Sequence, residues 1–186
     1  MAPAFIDEIF AAFDRCGGDR YGEDITQLEH ALQCALLAAE AGAGDGLIAA
    51  ALLHDYGHFF EGRGDAAERD GVDAHHEAHG AALLRRWFGP EVTTPIALHV
   101  AAKRYLCAVE PAYEAALSDA SRLSLKLQGG RFTPEQAQKF ASAPFADDAV
   151  RVRRWDDAGK VVGAMIPPLD SYADLLTRLA NPPSRP

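Results

Sequence analysis

The run Leu47-Ile48-Ala49-Ala50-Ala51-Leu52-Leu53 passes without interruption into His54-Asp55. Seven apolar residues in a row leave no polar face for solvent, so a helix formed here has to sit inside a shell of other helices. The stretch is far too short to span a membrane, which takes about 20 residues. Two ionisable residues at its end are then delivered into the interior, where a charge is costly unless it is paired or coordinates a metal. A central helix ending in His-Asp therefore asks for a bundle around it and a cation beside it.

The rest of the chain supplies that bundle. Residues 5–13 form an amphipathic pattern ended by Gly17-Gly18, and Thr26 with Glu29 makes a capping box opening a helix to about Gly42. Asp45 is the predicted cap of a helix over 46–60, followed by a polar loop over 62–73. Further helices are predicted over 75–88 (stopped by Gly89-Pro90), 94–106, 111–127, 133–142, 147–156 and 170–179. Alternating strand patterns are almost absent, with 161–166 the one candidate for a short strand or an extended piece. These signals predict an all-α chain, one domain over 1–181, and a Pro-rich tail over 182–186 expected to be disordered.

The net charge of −9 argues against a nucleic-acid partner, while leaving room for a small anion at a local cluster of cations. Cys16, Cys34 and Cys107 show no C-x-x-C spacing, so a metal site here has to use nitrogen and oxygen. The N-terminus lacks the basic flank and apolar core of a secretory signal, and a cytoplasmic location without membrane attachment is expected.

All seven histidines fall between His30 and His99. One histidine on a helix is usually structural; the set is what matters. His58 lies one turn beyond His54, facing the same interior. The pattern His30 … His54-Asp55 … Asp156 resembles the H…HD…D signature of the HD-domain superfamily, which implies a helical bundle with a buried dinuclear metal site. His76 and His99 are the additional histidines such a second metal needs. His75 and His79 compete with His76, and the family's His-Glu-x-x-Gly pattern starts at His76.

Four segments narrow the resemblance: Thr26-Gln27-Leu28-Glu29-His30, His54-Asp55-Tyr56-Gly57-His58, Lys103-Arg104-Tyr105-Leu106 and Arg153-Arg154-Trp155-Asp156-Asp157. Together they resemble the organophosphonate-oxidising HD-domain dioxygenases, relatives of inositol oxygenase. That resemblance implies a mixed-valent Fe(II)/Fe(III) pair that uses O2 to cleave the carbon–phosphorus bond of a 1-hydroxy-2-(amino or trimethylammonio)ethylphosphonate. The products are phosphate and glycine or glycine betaine. The implied ligands are His30, His54, Asp55, His76, His99 and Asp156, with Asp55 bridging, and nitrogen and oxygen donors suit non-haem iron as well as manganese or zinc.

A phosphonate needs cationic and hydroxyl donors. Lys103 follows His99 by one turn and Arg153 precedes Asp156 by one turn, while Ser121 matches the family's phosphonate-binding serine. Arg104 and Arg154 read as surface residues, and Ser124 and Gln128 as supporting polar groups. His58 is the candidate contact to the substrate hydroxyl. Tyr21 and Glu23 resemble the family's gating pair, at a spacing one residue shorter. Asp24 could accept from a substrate ammonium, whereas Tyr21, Tyr56, Phe59 and Trp155 could offer faces to a trimethylammonium. The competing function is a metal-dependent HD phosphohydrolase acting on a small phosphate ester with His30, His54, Asp55 and Asp156.

Overall fold

The computed structural model describes residues 3–20, 24–60 and 75–180. Tyr21 and Glu23, the polar loop and the tail expected to be disordered lie outside the described residues. Ten α-helices are described: α1 (Ala4–Cys16), α2 (Gln27–Glu40), α3 (Asp45–Leu53), α4 (His76–Leu84), α5 (Pro90–Val109), α6 (Tyr113–Ala116), α7 (Asp119–Leu127), α8 (Pro134–Ala141), α9 (Ala146–Ala158) and α10 (Ala173–Leu179). Short 3-10 turns at Tyr56–Phe60 and Leu169–Tyr172 complete them. Among the described residues the only extended pairing is an isolated bridge between Phe88 and Ala180, so the all-α expectation holds.

Helix α3 is buried on every side, with Ala49, Ala50, Ala51, Leu52 and Leu53 at 0–1% exposure, as an apolar run without a polar face has to be. The small alanines let α2, α5 and α9 pack against it. Helix α5 is the second axis and also carries α4 and α8. The main apolar core surrounds α3; smaller apolar clusters hold α8 and α9 against α5, and α7 against the end of α5. No helix among the described residues is long and apolar enough to cross a membrane.

The predicted capping box at Thr26 is present, and a second one opens α8 at Thr133, each hydroxyl accepting the backbone N–H three residues on. Several boundaries differ from expectation: α4 ends at Leu84, α5 starts at Pro90 and α10 at Ala173. Asp45 lies in the first turn of α3, and Gly44 is the cap. The helix predicted over 46–60 stops at Leu53, and the chain turns through His54-Asp55 into the 3-10 segment. The cause is a close approach: a Cβ on Gly57 would stand 2.0 Å from the His76 carbonyl oxygen and 2.8 Å from the Gly80 nitrogen. Only a chain without side chains there brings the two segments together, which explains why His54-Asp55 and His76 each need a glycine nearby.

The segment predicted as one helix over 111–127 is two, because Ser118 caps α7 by accepting from the Ser121 N–H. Residues 161–166 form no strand. Instead the Gln33 amide brackets Val161, donating to its carbonyl and accepting from its N–H, both at 3.0 Å. A side chain does there what a neighbouring strand would do.

Candidate active site

Six residues from five elements meet at the end of α3. His30 comes from α2, His54 and Asp55 from the turn after α3, His76 from α4, His99 from α5 and Asp156 from α9. The Asp55 carboxylate divides them. Its Oδ2 faces His54 Nε2 at 3.3 Å and His30 Nε2 at 3.7 Å. Its Oδ1 faces His76 Nε2 at 3.4 Å and His99 Nε2 at 3.7 Å. Asp156 joins the first group, with Oδ1 3.4 Å from His30 Nε2.

The proton positions follow from the neighbours. Carbonyl oxygens only accept, so an imidazole nitrogen beside one has to carry the hydrogen. His54 Nδ1 donates to the Ala51 carbonyl at 2.9 Å, His99 Nδ1 to the Ile96 carbonyl at 2.7 Å, and His30 Nδ1 to the Gly159 carbonyl at 2.9 Å. When neutral, each of these rings turns a lone pair inward from Nε2. The inward nitrogens pair up: His30 Nε2 lies 3.2 Å from His54 Nε2, and His76 Nε2 lies 3.1 Å from His99 Nε2. Two unprotonated nitrogens at such distances repel unless a proton or a metal ion sits between them. Donors at ~2.1 Å from one ion stand roughly 3.0–3.4 Å apart, so the spacing fits two metal ions that share Asp55.

The electrostatics agree. Burial pulls the His99 pKa down, and the His76 ring beside it adds to that, so His99 stays neutral and able to ligate. Burial alone would also depress His54, but the Asp55 carboxylate outweighs it and holds His54 up at about 9. Burial works to raise Asp55 and Asp156, yet both are held well below the usual carboxylate range, by His54 and by Arg153 respectively. In the protein alone protons thus compensate the carboxylates, and a metal ion that binds has to displace them.

His58 stacks on His76 with ring centroids 3.9 Å apart and lies 4.0 Å from Asp55 Oδ1. His75 and His79 are exposed, which leaves His76 as the inward member of that trio. Cys34 packs behind His30 and donates its thiol to the Trp155 carbonyl at 3.4 Å, the role of a small core residue.

Beside the histidines opens a cavity of about 90 Å³. That is well below the roughly 300–1,000 Å³ of sites for drug-sized ligands, so it suits a ligand of few heavy atoms. Its far wall is cationic. Lys103, only 2% exposed, donates to Ser124 Oγ at 2.7 Å, and Arg153 Nη2 donates to Ser121 Oγ at 3.3 Å. Arg153 is gripped in turn: Nη1 donates to Asp156 at 2.6 Å, Nη2 and Nε donate to Asp157, and Nε also reaches the Tyr113 hydroxyl at 3.0 Å. That hydroxyl donates to Asp157. Arg104 and Arg154 point away, Arg104 to the Gly129 and Gly130 carbonyls and Arg154 to Glu110.

Sequence reasoning missed Tyr113, Asp157, Gln27 and Lys160. The spacings of Arg153 to Asp157, Gln27 to His30 and Asp156 to Lys160, three or four residues each, were readable signals; Tyr113 comes from a distant segment. Gln27 and Gln128 line the cavity with buried side-chain oxygens that have no partner among the described residues, so both can accept from a ligand. Asp24 is exposed beside Ile25, which lines the cavity. Tyr56, Phe59 and Trp155 pack in the apolar core rather than facing it.

The HD-domain family matches residues 28–126. The hydroxymethylphosphonate dioxygenase of Gimesia maris is 45% identical over 90% of this chain and 84% of its own length. The [1-hydroxy-2-(trimethylamino)ethyl]phosphonate dioxygenase (glycine-betaine-forming) of Leisingera caerulea is 40% identical over 95% of this chain and 90% of its own. An uncharacterised protein of Acanthamoeba polyphaga mimivirus is 35% identical over 92% of this chain and 80% of its own.

Proposed function

The chain belongs to the HD-domain family, among its phosphonate dioxygenases, and on that footing we propose that it uses O2 to cleave the carbon–phosphorus bond of a small 1-hydroxyalkylphosphonate at a mixed-valent iron pair. The observation that carries this reading is the division of four inward-facing imidazoles between the two oxygens of Asp55. His30, His54 and Asp156 would hold one ion, His76 and His99 the other, with Asp55 shared. The ion pair, when bound, supplies the redox chemistry with O2.

The substrate class is what the two named relatives have in common: a phosphonate with a hydroxyl on the carbon attached to phosphorus. In the balanced reaction that carbon loses its hydrogen and its bond to phosphorus. One oxygen atom of O2 ends in a carboxylate and the other in phosphate. Formate, glycine or glycine betaine is the acid formed from the hydroxymethyl, aminoethyl or trimethylammonioethyl substrate.

The chain's own groups orient that head. Lys103, Ser121 and Arg153 hold the phosphonate oxygens, and His58, beside Asp55 Oδ1, meets the C1 hydroxyl. Ser121 Oγ accepts from Arg153 and Lys160, which leaves its own O–H to donate to a phosphonate oxygen. Ser124, by contrast, both accepts from Lys103 and donates to the Ser121 carbonyl, so it positions Lys103. Tyr21 and Glu23 remain the proposed gate and Asp24 the proposed contact to an amino group. Of the three substrates, hydroxymethylphosphonate asks for nothing beyond the residues described and is expected to be turned over best. The free thiols of Cys16, Cys34 and Cys107 suit a reducing cytoplasm.

Oxygen uptake and phosphate release by iron-loaded protein, measured with each phosphonate, test the proposal. Equimolar O2 consumption and phosphate release support it. Phosphate released from a phosphate ester without oxygen uptake, and no reaction with any phosphonate, would replace it with the hydrolase reading.

A further inference from the structure

Arg153 reaches both a proposed metal ligand and the serine assigned to the phosphonate. A guanidinium carries five N–H hydrogens in one plane. Nη2 spends both of its own, on Asp157 and on Ser121 Oγ. The Nε hydrogen is shared between the Tyr113 hydroxyl at 3.0 Å and Asp157 at 3.2 Å. Nη1 spends one on Asp156 at 2.6 Å, and its second has no acceptor among the described residues. That hydrogen is what Arg153 has left for a ligand. Because the group is a rigid fork, where it points depends on how the whole guanidinium is turned.

The turn is set from behind. Arg153 and Asp156 line the cavity, whereas Tyr113 and Asp157 lie outside its lining. Both carboxylates sit on α9, the helix of Arg153 itself, so they fix the guanidinium only relative to that helix. Tyr113 is the first residue of α6, and its ring packs on the apolar cluster of Cys107, Leu117 and Leu125, which joins α5 to α7. Its hydroxyl thus ties Arg153 to the helices that carry Lys103 and Ser121. Burial pushes the Tyr113 phenol well above its ordinary range, against the pull of Arg153, so the oxygen keeps its hydrogen. It donates that hydrogen to Asp157 while accepting from Arg153 Nε.

We propose that Tyr113 is a positioning residue for substrate binding: its hydroxyl, held between Arg153 and Asp157 behind the cavity, turns the guanidinium so that its remaining N–H meets a phosphonate oxygen. This rests on the phosphonate reading of the pocket. Tyr113 acts by direction rather than by charge, since phenylalanine in its place leaves every charge of the wall as it was.

Tyr113→Phe keeps the ring and removes the hydroxyl alone. Calorimetry with methylphosphonate on the metal-loaded variant, well below its melting temperature, should show binding roughly 2- to 13-fold weaker than wild type, the cost of one misdirected hydrogen bond. With hydroxymethylphosphonate, KM should rise by a similar factor while kcat and metal content stay near wild type. A merely structural tyrosine gives the same loss whatever stands at position 153. A positioning one does not: in an Arg153→Lys or Arg153→Met background, adding Tyr113→Phe should leave kcat/KM unchanged. Unaltered methylphosphonate binding in Tyr113→Phe, or a loss of equal size in the Arg153 background, overturns the proposal and leaves the phosphonate reading intact. So does a fall in kcat without a rise in KM, which would put the effect at the metal end, through Asp156. Wild type that binds no methylphosphonate and turns over no phosphonate overturns both together. Where circular dichroism shows that neither Arg153 variant folds, the binding and the KM-against-kcat split of Tyr113→Phe decide alone.

Discussion

At one end of the cavity the working groups are short and fixed to main chain; at the other they are long and fixed to each other. His30, His54 and His99 each anchor Nδ1 on a backbone carbonyl, and Gly57 against Gly80 sets how closely the turn after α3 approaches α4. Lys103, Arg153 and Lys160 instead reach across the wall and are held by serine hydroxyls, a tyrosine and two carboxylates. The first arrangement is set by where the backbone goes, and a missing donor has no substitute. The second is a network, where neighbours can partly replace a lost contact. Substitutions should therefore act nearly all-or-none at the histidine end and by degrees at the cationic end.

The sharpest case is Asp55→Ala. One carboxylate faces both histidine pairs, so its loss should remove both ions and with them activity. The loss should exceed the roughly 10–100-fold cost of removing an outer partner of a metal ligand. Metal analysis of wild type and variant loaded side by side reads this directly. A variant that keeps one full equivalent of metal would show that Asp55 serves a single ion.

Arg153→Ala is expected to be next, and it blurs the contrast in an instructive way. Arg153 is buried and its removal strands Asp156 and Asp157, so stability should fall by about 3–5 kcal/mol in urea unfolding. That is more than the roughly 1.5–3 kcal/mol of one charged contact to a ligand. Lysine cannot reproduce the fork that spans two carboxylates and should recover only part. If stability held and only substrate binding weakened, Arg153 would belong to the ligand alone rather than to the wall.

A smaller effect should come from the glycine contact. Gly57→Ala forces a Cβ toward the His76 carbonyl, and a backbone shift there should cost about 1–3 kcal/mol and lower metal occupancy at the His76 and His99 end first. Gly18→Ala, with open space around its Cβ, should stay within about 0.5 kcal/mol of wild type. Full metal content in Gly57→Ala would separate backbone spacing from ligand geometry.

The same contrast explains what the sequence reveals. Short-range rules reach the histidine end: an apolar run ending in His54-Asp55 and a capping box at Thr26 that starts the helix of His30 are local patterns with physical causes. They do not reach the break after Leu53, because an apolar helix carries no sign that Gly80, far along the chain, will meet Gly57. Ser118-Asp119 was a readable cap that splits 111–127, overlooked because helical residues flank it on both sides. The cationic wall is hardest to read: Lys103, Arg153 and Lys160 have one-turn spacing to proposed ligands, but Tyr113 comes into place only through tertiary packing.

The smallest effects separate two serines one turn apart on α7. Ser124 Oγ uses its hydrogen on the Ser121 carbonyl at 3.2 Å and accepts from Lys103. Both contacts lie within the protein, so Ser124→Ala should lower stability by about 0.5–1.5 kcal/mol and disturb ligand binding only through a looser Lys103. Ser121 Oγ accepts from two cations, and no described residue receives its hydrogen. Ser121→Ala should therefore leave stability close to wild type and weaken methylphosphonate binding by about 0.5–1.5 kcal/mol, a loss of roughly 2- to 13-fold. Urea unfolding and calorimetry on the two variants give four numbers. If Ser124→Ala instead proved the binding mutant and Ser121→Ala the unstable one, the direct contact and the positioning role would have to be exchanged. Equal effects on both measurements would mean that the cationic wall acts as one unit with no graded members, and the contrast with the histidine end would fail.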